Sequence, residues 1–226
     1  MKLTYYGHSC FAVETGGKTL LFDPFITPNE LAKNIDRDSV EADFILISHG
    51  HEDHVADAVS IAKRTGAPVI TTFEVAQWLT QQGAADARPM NHGGSADYEF
   101  GSVKLTNAVH SSSFPDGSYA GNPAGFVVST ADGVFYYAGD TALTLDMQLI
   151  ADEFRLDFAV LPVGDHFTMG AKDAVRAADF VECDRIVGVH FDTFPPIEID
   201  HDAAKTVFTE AGKSLVLLKI GESVEL

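Results

Sequence analysis

Phe44-Ile45-Leu46-Ile47 runs directly into Ser48-His49-Gly50-His51-Glu52-Asp53-His54, and this junction limits the folds open to the chain. The apolar tetrad is short and rich in β-branched and aromatic residues, so it reads as a buried strand. Beyond it, three imidazoles and two carboxylates crowd the six positions from His49 to His54. A strand exit of this kind lets His49 and His51, two residues apart, project to the same side. Gly50 loosens the turn that carries the chain on to Asp53 and His54. Neutral imidazole and carboxylate are the donors that hold zinc, manganese or iron. Asp53 as the N-cap of a following helix would explain a polar loop, but a cap has no need of histidines.

Three further residues follow apolar runs in the same way. His110 follows Val103–Val109, Asp140 follows Phe135–Gly139, and His190 follows Ile186–Val189. Ligand sites in sheet proteins gather where strands end and loops converge, so these exits point to one shared site. The structural alternatives are a loop histidine before Ser111-Ser112-Ser113, a helix cap at Asp140, and a surface pair of His190 with Asp192. His8, after Leu3–Gly7, and His166, in Gly164-Asp165-His166-Phe167, lie at the same sheet edge. Both are candidates to donate to a substrate or leaving group. His92, in Asn91-His92-Gly93-Gly94, and His201, at a helix start, read as structural. Phe194-Pro195-Pro196 reads most simply as a rigid loop, with the lining of a pocket as its alternative.

Strands are expected at Lys2–Tyr6, Phe11–Thr15 and Thr19–Phe22, the last two as a hairpin around Gly16-Gly17. Residues 26–43 read as a loop with room for one helical turn. Ala56–Arg64 and Phe73–Gln82 have helical spacing, with Pro68–Thr71 as a strand between them. Residues 84–101 are weakly patterned, with a strand at Tyr98–Phe100, and Val103–Val109 alternates as the next strand. The second half repeats this order. A hairpin of Phe126–Ser129 and Val134–Ala138 precedes a helix at Asp146–Phe154, a strand at Phe158–Val163 and a helix at Ala171–Val181. Arg185–Val189 is a strand, Asp200–Ala211 an amphipathic helix, and Ser214–Leu218 and Glu222–Val224 are terminal strands. That order suggests two similar β-rich layers with helices outside. No linker of Pro, Ser or like charge separates the halves, so residues 1–226 read as one domain.

The set of residues at the strand exits resembles the metallo-β-lactamase superfamily. His49-Gly50-His51-Glu52-Asp53-His54 fits its signature, His-x-His-x-Asp-His, at every specified position. The resemblance implies an α+β fold, a four-layer αββα sandwich with a metal site at the sheet edges. It assigns His49, His51 and His110 to a first metal, and Asp53, His54 and His190 to a second. Asp140, in Gly139-Asp140-Thr141, takes the place that bridges the two. Gly7-His8-Ser9, Phe167-Thr168-Met169-Gly170 and Asp192-Thr193-Phe194-Pro195-Pro196 narrow the likeness. They resemble a bacterial and archaeal subfamily of metal-dependent hydrolases similar to the L-ascorbate-6-phosphate lactonase group.

The implied chemistry is hydrolysis of a small ester, lactone or phosphoester. Metal binding lowers the pKa of water from about 15.7 to about 7, and two metals sharing Asp140 would hold the hydroxide between them. Asp53 would orient that nucleophile, His166 or His8 would protonate the leaving group, and Asp23, Asp57 and Asp165 are available to fix imidazole tautomers. Two divalent ions are expected, zinc first, with manganese, nickel or iron also suited to these donors. Rival readings are a phosphodiesterase or nuclease of the same fold, a flavodiiron-like reductase, and a protein that a metal merely stabilises. The reductase would need a flavin domain, which does not follow Leu226.

The formal charge is -18, and Lys63-Arg64 is the longest basic run. Such a surface repels phosphate backbones, so no nucleic-acid partner is expected. No run approaches the roughly 20 apolar residues of a membrane span. The N-terminus lacks the pattern of a signal peptide. Cys10 and Cys183 stand far apart and suit reduced thiols. A cytoplasmic protein acting on a small molecule is expected, with homo-oligomerisation left open.

Overall fold

The computed structural model describes residues 1–226. In the first half, β1 (Lys2–Gly7), β2 (Cys10–Thr15) and β3 (Lys18–Phe22) pair antiparallel. β4 (Phe44–Ile47), β5 (Val69–Thr72) and β6 (Ala87–Met90) then extend that sheet in parallel. The second half repeats the plan. β7 (Ser95–Tyr98), β8 (Gly101–Asn107), β9 (Ala124–Thr130) and β10 (Gly133–Tyr137) are antiparallel. β11 (Phe158–Pro162), β12 (Arg185–Val189) and β13 (Ser214–Val216) add in parallel. β14 (Ser223–Glu225) returns to pair with β1, giving two seven-stranded sheets.

Strand β4 shows why its sequence is apolar without alternation. Phe44 and Leu46 join the core between the sheets, whereas Ile45 and Ile47 pack into a second cluster under the outer helices. That second cluster holds Ala58 and Ile61 of α2 (Ala58–Thr65), and Val75 and Leu79 of α3 (Phe73–Gln81). The other sheet is covered by α5 (Ala171–Phe180) and α6 (His201–Glu210), through Ala174, Ala177 and Phe208 among others. The result is the expected αββα sandwich. Between the sheets, the Phe11 and Phe22 rings stack at 4.6 Å, and Tyr137 of the opposite sheet meets them edge-on at 5.0 and 5.5 Å. Each such pair adds about 0.5–1.5 kcal/mol beyond its buried area.

The departures from expectation fall at the sheet edges and at helix starts. The weakly patterned residues 84–101 contain two strands, β6 and β7, and the second starts and ends earlier than Tyr98–Phe100. They are the outermost strands of different sheets, with no fully buried face to impose alternation. The helix expected at Ala56–Arg64 is α2, which begins at Ala58, and a separate short helix, α1 (Glu52–Val55), precedes it. The helix near Asp146 is a 3-10 turn leading into α4 (Gln148–Glu153). His51 holds the N-cap position of α1, so the Asp53 carboxylate is not used as a cap. No helix is long and apolar enough to cross a membrane.

Candidate metal centre

Four strand exits do converge: His49 after β4, His110 after β8, Asp140 after β10 and His190 after β12. Asp140 Oδ2 lies 3.0 Å from His190 Nε2, 3.3 Å from His54 Nε2 and 3.6 Å from His110 Nε2. His49 Nε2 lies 2.9 Å from His51 Nδ1. Ligand-type atoms fall into three overlapping groups, each compact enough for one ion: His49 with His51 and His110, His49 with His54 and Asp140, and His8 with Asp53, His54 and His190.

The residues fit a metal. His54 Nε2 and Asp140 Oδ1 are buried without a hydrogen-bond partner, a costly arrangement unless something else satisfies them. Burial lowers the imidazoles of His49, His51 and His110, which favours the neutral form that ligates. Burial would also lower His54, but Asp140, Asp23 and Asp53 outweigh it and hold that imidazole well above its ordinary range. Burial would raise Asp140, yet His190 and His54 keep it well below the usual carboxylate range. Carboxylates at this depth call for positive charge.

Asp23, one of three carboxylates that the sequence offered for fixing imidazole tautomers, organises the inner wall. Its Oδ2 accepts from Ser48 Oγ at 2.6 Å, Tyr137 Oη at 2.6 Å and His54 Nδ1 at 2.8 Å, and its Oδ1 accepts from the Ser48 N–H at 2.7 Å. A carboxylate can only accept, so His54 carries its proton on Nδ1 and turns Nε2 toward Asp140. Ser48 Oγ, having given its proton to Asp23, accepts from His49 Nδ1 at 2.9 Å. One carboxylate thereby sets two tautomers. Asp57 instead accepts from Ile26 N, Thr27 N and Thr27 Oγ1, and holds the loop after β3. Asp165 accepts the His166 N–H and stays outside the centre.

His8 and His166 sit in different surroundings. His8 is buried within the site, in one group with Asp53, His54 and His190. Its side chain is wholly buried, with Nε2 3.0 Å from Asp53 Oδ2 and Nδ1 3.0 Å from Thr193 Oγ1. Burial pushes its imidazole down to about 4, against the pull of Asp53. The left-handed backbone at His8 and His190, φ 56° at each, is held by the His8 carbonyl, which accepts from the Tyr5 hydroxyl and the His190 N–H. Such strain gathers at functional sites.

His166 is exposed and lines a separate depression with Asp173, Glu198 and Asp200. The residue from that loop that lines the cleft over the metal-capable groups is Phe167. Asp192 pairs with His201 at 2.6 Å, not with His190. His92 spans Asn91 Oδ1 and the Pro123 carbonyl, as a structural histidine would.

Gly139 places Asp140. Its φ is +63°, and a Cβ there would stand 2.7 Å from the Ala124 carbonyl oxygen and 3.0 Å from Ser48 Cβ. Gly139→Ala is expected to destabilise the fold by roughly 1–3 kcal/mol, the range of a strained residue, and to lower metal content. Denaturant unfolding and metal analysis check this; a wild-type midpoint with full metal would refute it.

A buried His and Asp cluster under an open cleft, at the shared edge of an αββα sandwich, defines a metal-dependent hydrolase. The Beta-lactamase superfamily domain matches residues 2–190. A UPF0173 metal-dependent hydrolase of Christiangramia forsetii is 55% identical over 227 residues, covering 100% of both chains. One of Flavobacterium johnsoniae is 52% identical over 226 residues, again with 100% coverage of both. A metallo hydrolase of the archaeon Ignicoccus hospitalis superposes with a TM-score of 0.89 at 36% identity, covering 99% of this chain and 97% of that one. The chain belongs to the β-lactamase superfamily.

Proposed function

We propose that the protein hydrolyses a small ester, lactone or phosphoester with two divalent ions, zinc first among them. The observation that carries this is the overlap of the ligand groups. His49, His51 and His110 would hold one ion, Asp53, His54 and His190 the other, with Asp140 between them. Bound divalent ions supply Lewis acidity and ionise water near neutral pH.

The chain's own residues do the rest. Asp23 fixes the imidazoles of His54 and, through Ser48, His49, so that their lone pairs face inward. His8, as a positioning residue, orients Asp53. Asp53 lines the cleft, which supports its role in orienting the attacking water. A metal that only stabilised the fold would sit in a closed site, whereas this one opens to a cleft of about 450 Å3. The charge of -18 opposes a nucleic-acid substrate. The shared core supports reading residues 1–226 as one domain, and the two buried free cysteines suit the cytoplasm.

The test is elemental analysis of protein purified without chelator or histidine tag, beside His51→Ala, followed by a panel of esters, lactones and phosphoesters. Close to two ions per chain, falling in the variant, is the expected result. No metal after reconstitution would end the hydrolase reading.

A further inference from the structure

The cleft over Asp140 is lined by two phenyl rings and no cation. Phe167 and Phe194 line it, 53% and 36% exposed. Neither lysine nor arginine is among its lining residues, which add the carboxylate of Glu52 to those of Asp53 and Asp140. Its volume, about 450 Å3, suits a small molecule.

The backbone goes to some expense to present Phe167. The two residues before it, Asp165 and His166, both adopt left-handed backbone, with φ of 60° and 55°. That costs about 1–2 kcal/mol for each such residue. The turn is closed by a Gly164–Gly170 bridge and by the Asp165 N–H donating to the Met169 carbonyl. Phe194 follows Asp192, also left-handed at φ 61°, and Thr193, whose hydroxyl meets His8. Its ring stands 5.4 Å from the His8 ring and 6.4 Å from that of Phe25. Exposed apolar surface at a ligand cleft marks what the ligand brings.

Charge decides between the substrate classes. Enzymes that act on phosphoryl groups surround them with Arg, Lys or metal clamps. Here the ions alone would play that part, already faced by Asp53 and Asp140, and no lysine or arginine lines the cleft to share the charge of a phosphate. We propose, resting on the hydrolase reading above, that the substrate is an uncharged carboxylic ester or lactone with an alkyl or aryl group, which Phe167 and Phe194 receive. In the reaction, the oxygen of water joins the acyl carbon. The acyl C–O bond breaks with its electron pair on the departing oxygen. One water proton ends on the released alcohol, and the other is lost as the product carboxylate forms.

The test compares 4-nitrophenyl octanoate, 4-nitrophenyl acetate and bis(4-nitrophenyl) phosphate on the metal-loaded enzyme. The octanoate should be preferred. Phe167→Ala should cut the octanoate-to-acetate ratio of kcat/KM about tenfold, the low end of what apolar contacts discriminate. Turnover of the phosphodiester as fast as the octanoate would overturn the substrate class and leave the hydrolase reading standing. If the loaded enzyme cleaves none of them, the hydrolase reading fails, and calorimetry still tests the cleft. Octanohydroxamate should then bind more tightly than acetohydroxamate, with the margin lost in Phe167→Ala; equal binding to the wild type would overturn the inference.

Discussion

Asp140→Asn is expected to fold, to retain less than half the metal of the wild type and to lose nearly all activity. The carboxamide keeps the shape of the side chain and removes its charge. Asp140 Oδ2 lies within 3.6 Å of imidazole nitrogens from His54, His110 and His190, which come from three separate segments. No other carboxylate spans both halves of the centre in this way. Groups that merely orient ligands cost about 10–100-fold in metal affinity or activity when altered, and a shared ligand should cost at least the upper end. Dialysis against graded zinc, read by elemental analysis beside kcat/KM, checks this. Full metal with full activity would remove Asp140 from the centre.

The strand exits were legible because an apolar run that stops abruptly needs no tertiary information to be read. His49, His110, Asp140 and His190 all gave that signal. Asp23 gives it too, directly after Phe22 at the end of β3, but Pro24 makes it look like a mere strand breaker. What sequence does not encode locally is direction and depth. His166 and Phe167 are neighbours, and the two successive left-handed residues decide which of them faces the cleft. His8 stands at the correct edge, yet its burial depends on Thr193 and His190, far along the chain. Strands β6 and β7 were faint because edge strands with half-exposed faces carry little apolar alternation.

Asp23→Ala is expected to be the most damaging substitution outside the ligands themselves. Asp23 is fully buried and accepts bonds from Tyr137, His54 and both polar groups of Ser48. Truncation leaves those donors facing a void. Each unsatisfied buried group costs about 1–3 kcal/mol, so the sum approaches the 5–15 kcal/mol, roughly, that holds a whole domain together. The same truncation frees the His54 and His49 rings to choose the wrong tautomer, so metal affinity should fall about 10–100-fold in whatever remains folded. Tyr137→Phe separates the two effects. It removes one donor and spares the bonds to His54 and Ser48, so about 1.5–3 kcal/mol of stability should go with little loss of metal. Urea unfolding of all three proteins, with metal titrations on the folded ones, measures both quantities. Wild-type stability and metal affinity in Asp23→Ala would mean that the link from the aromatic core through Asp23 to the imidazoles does not organise the site.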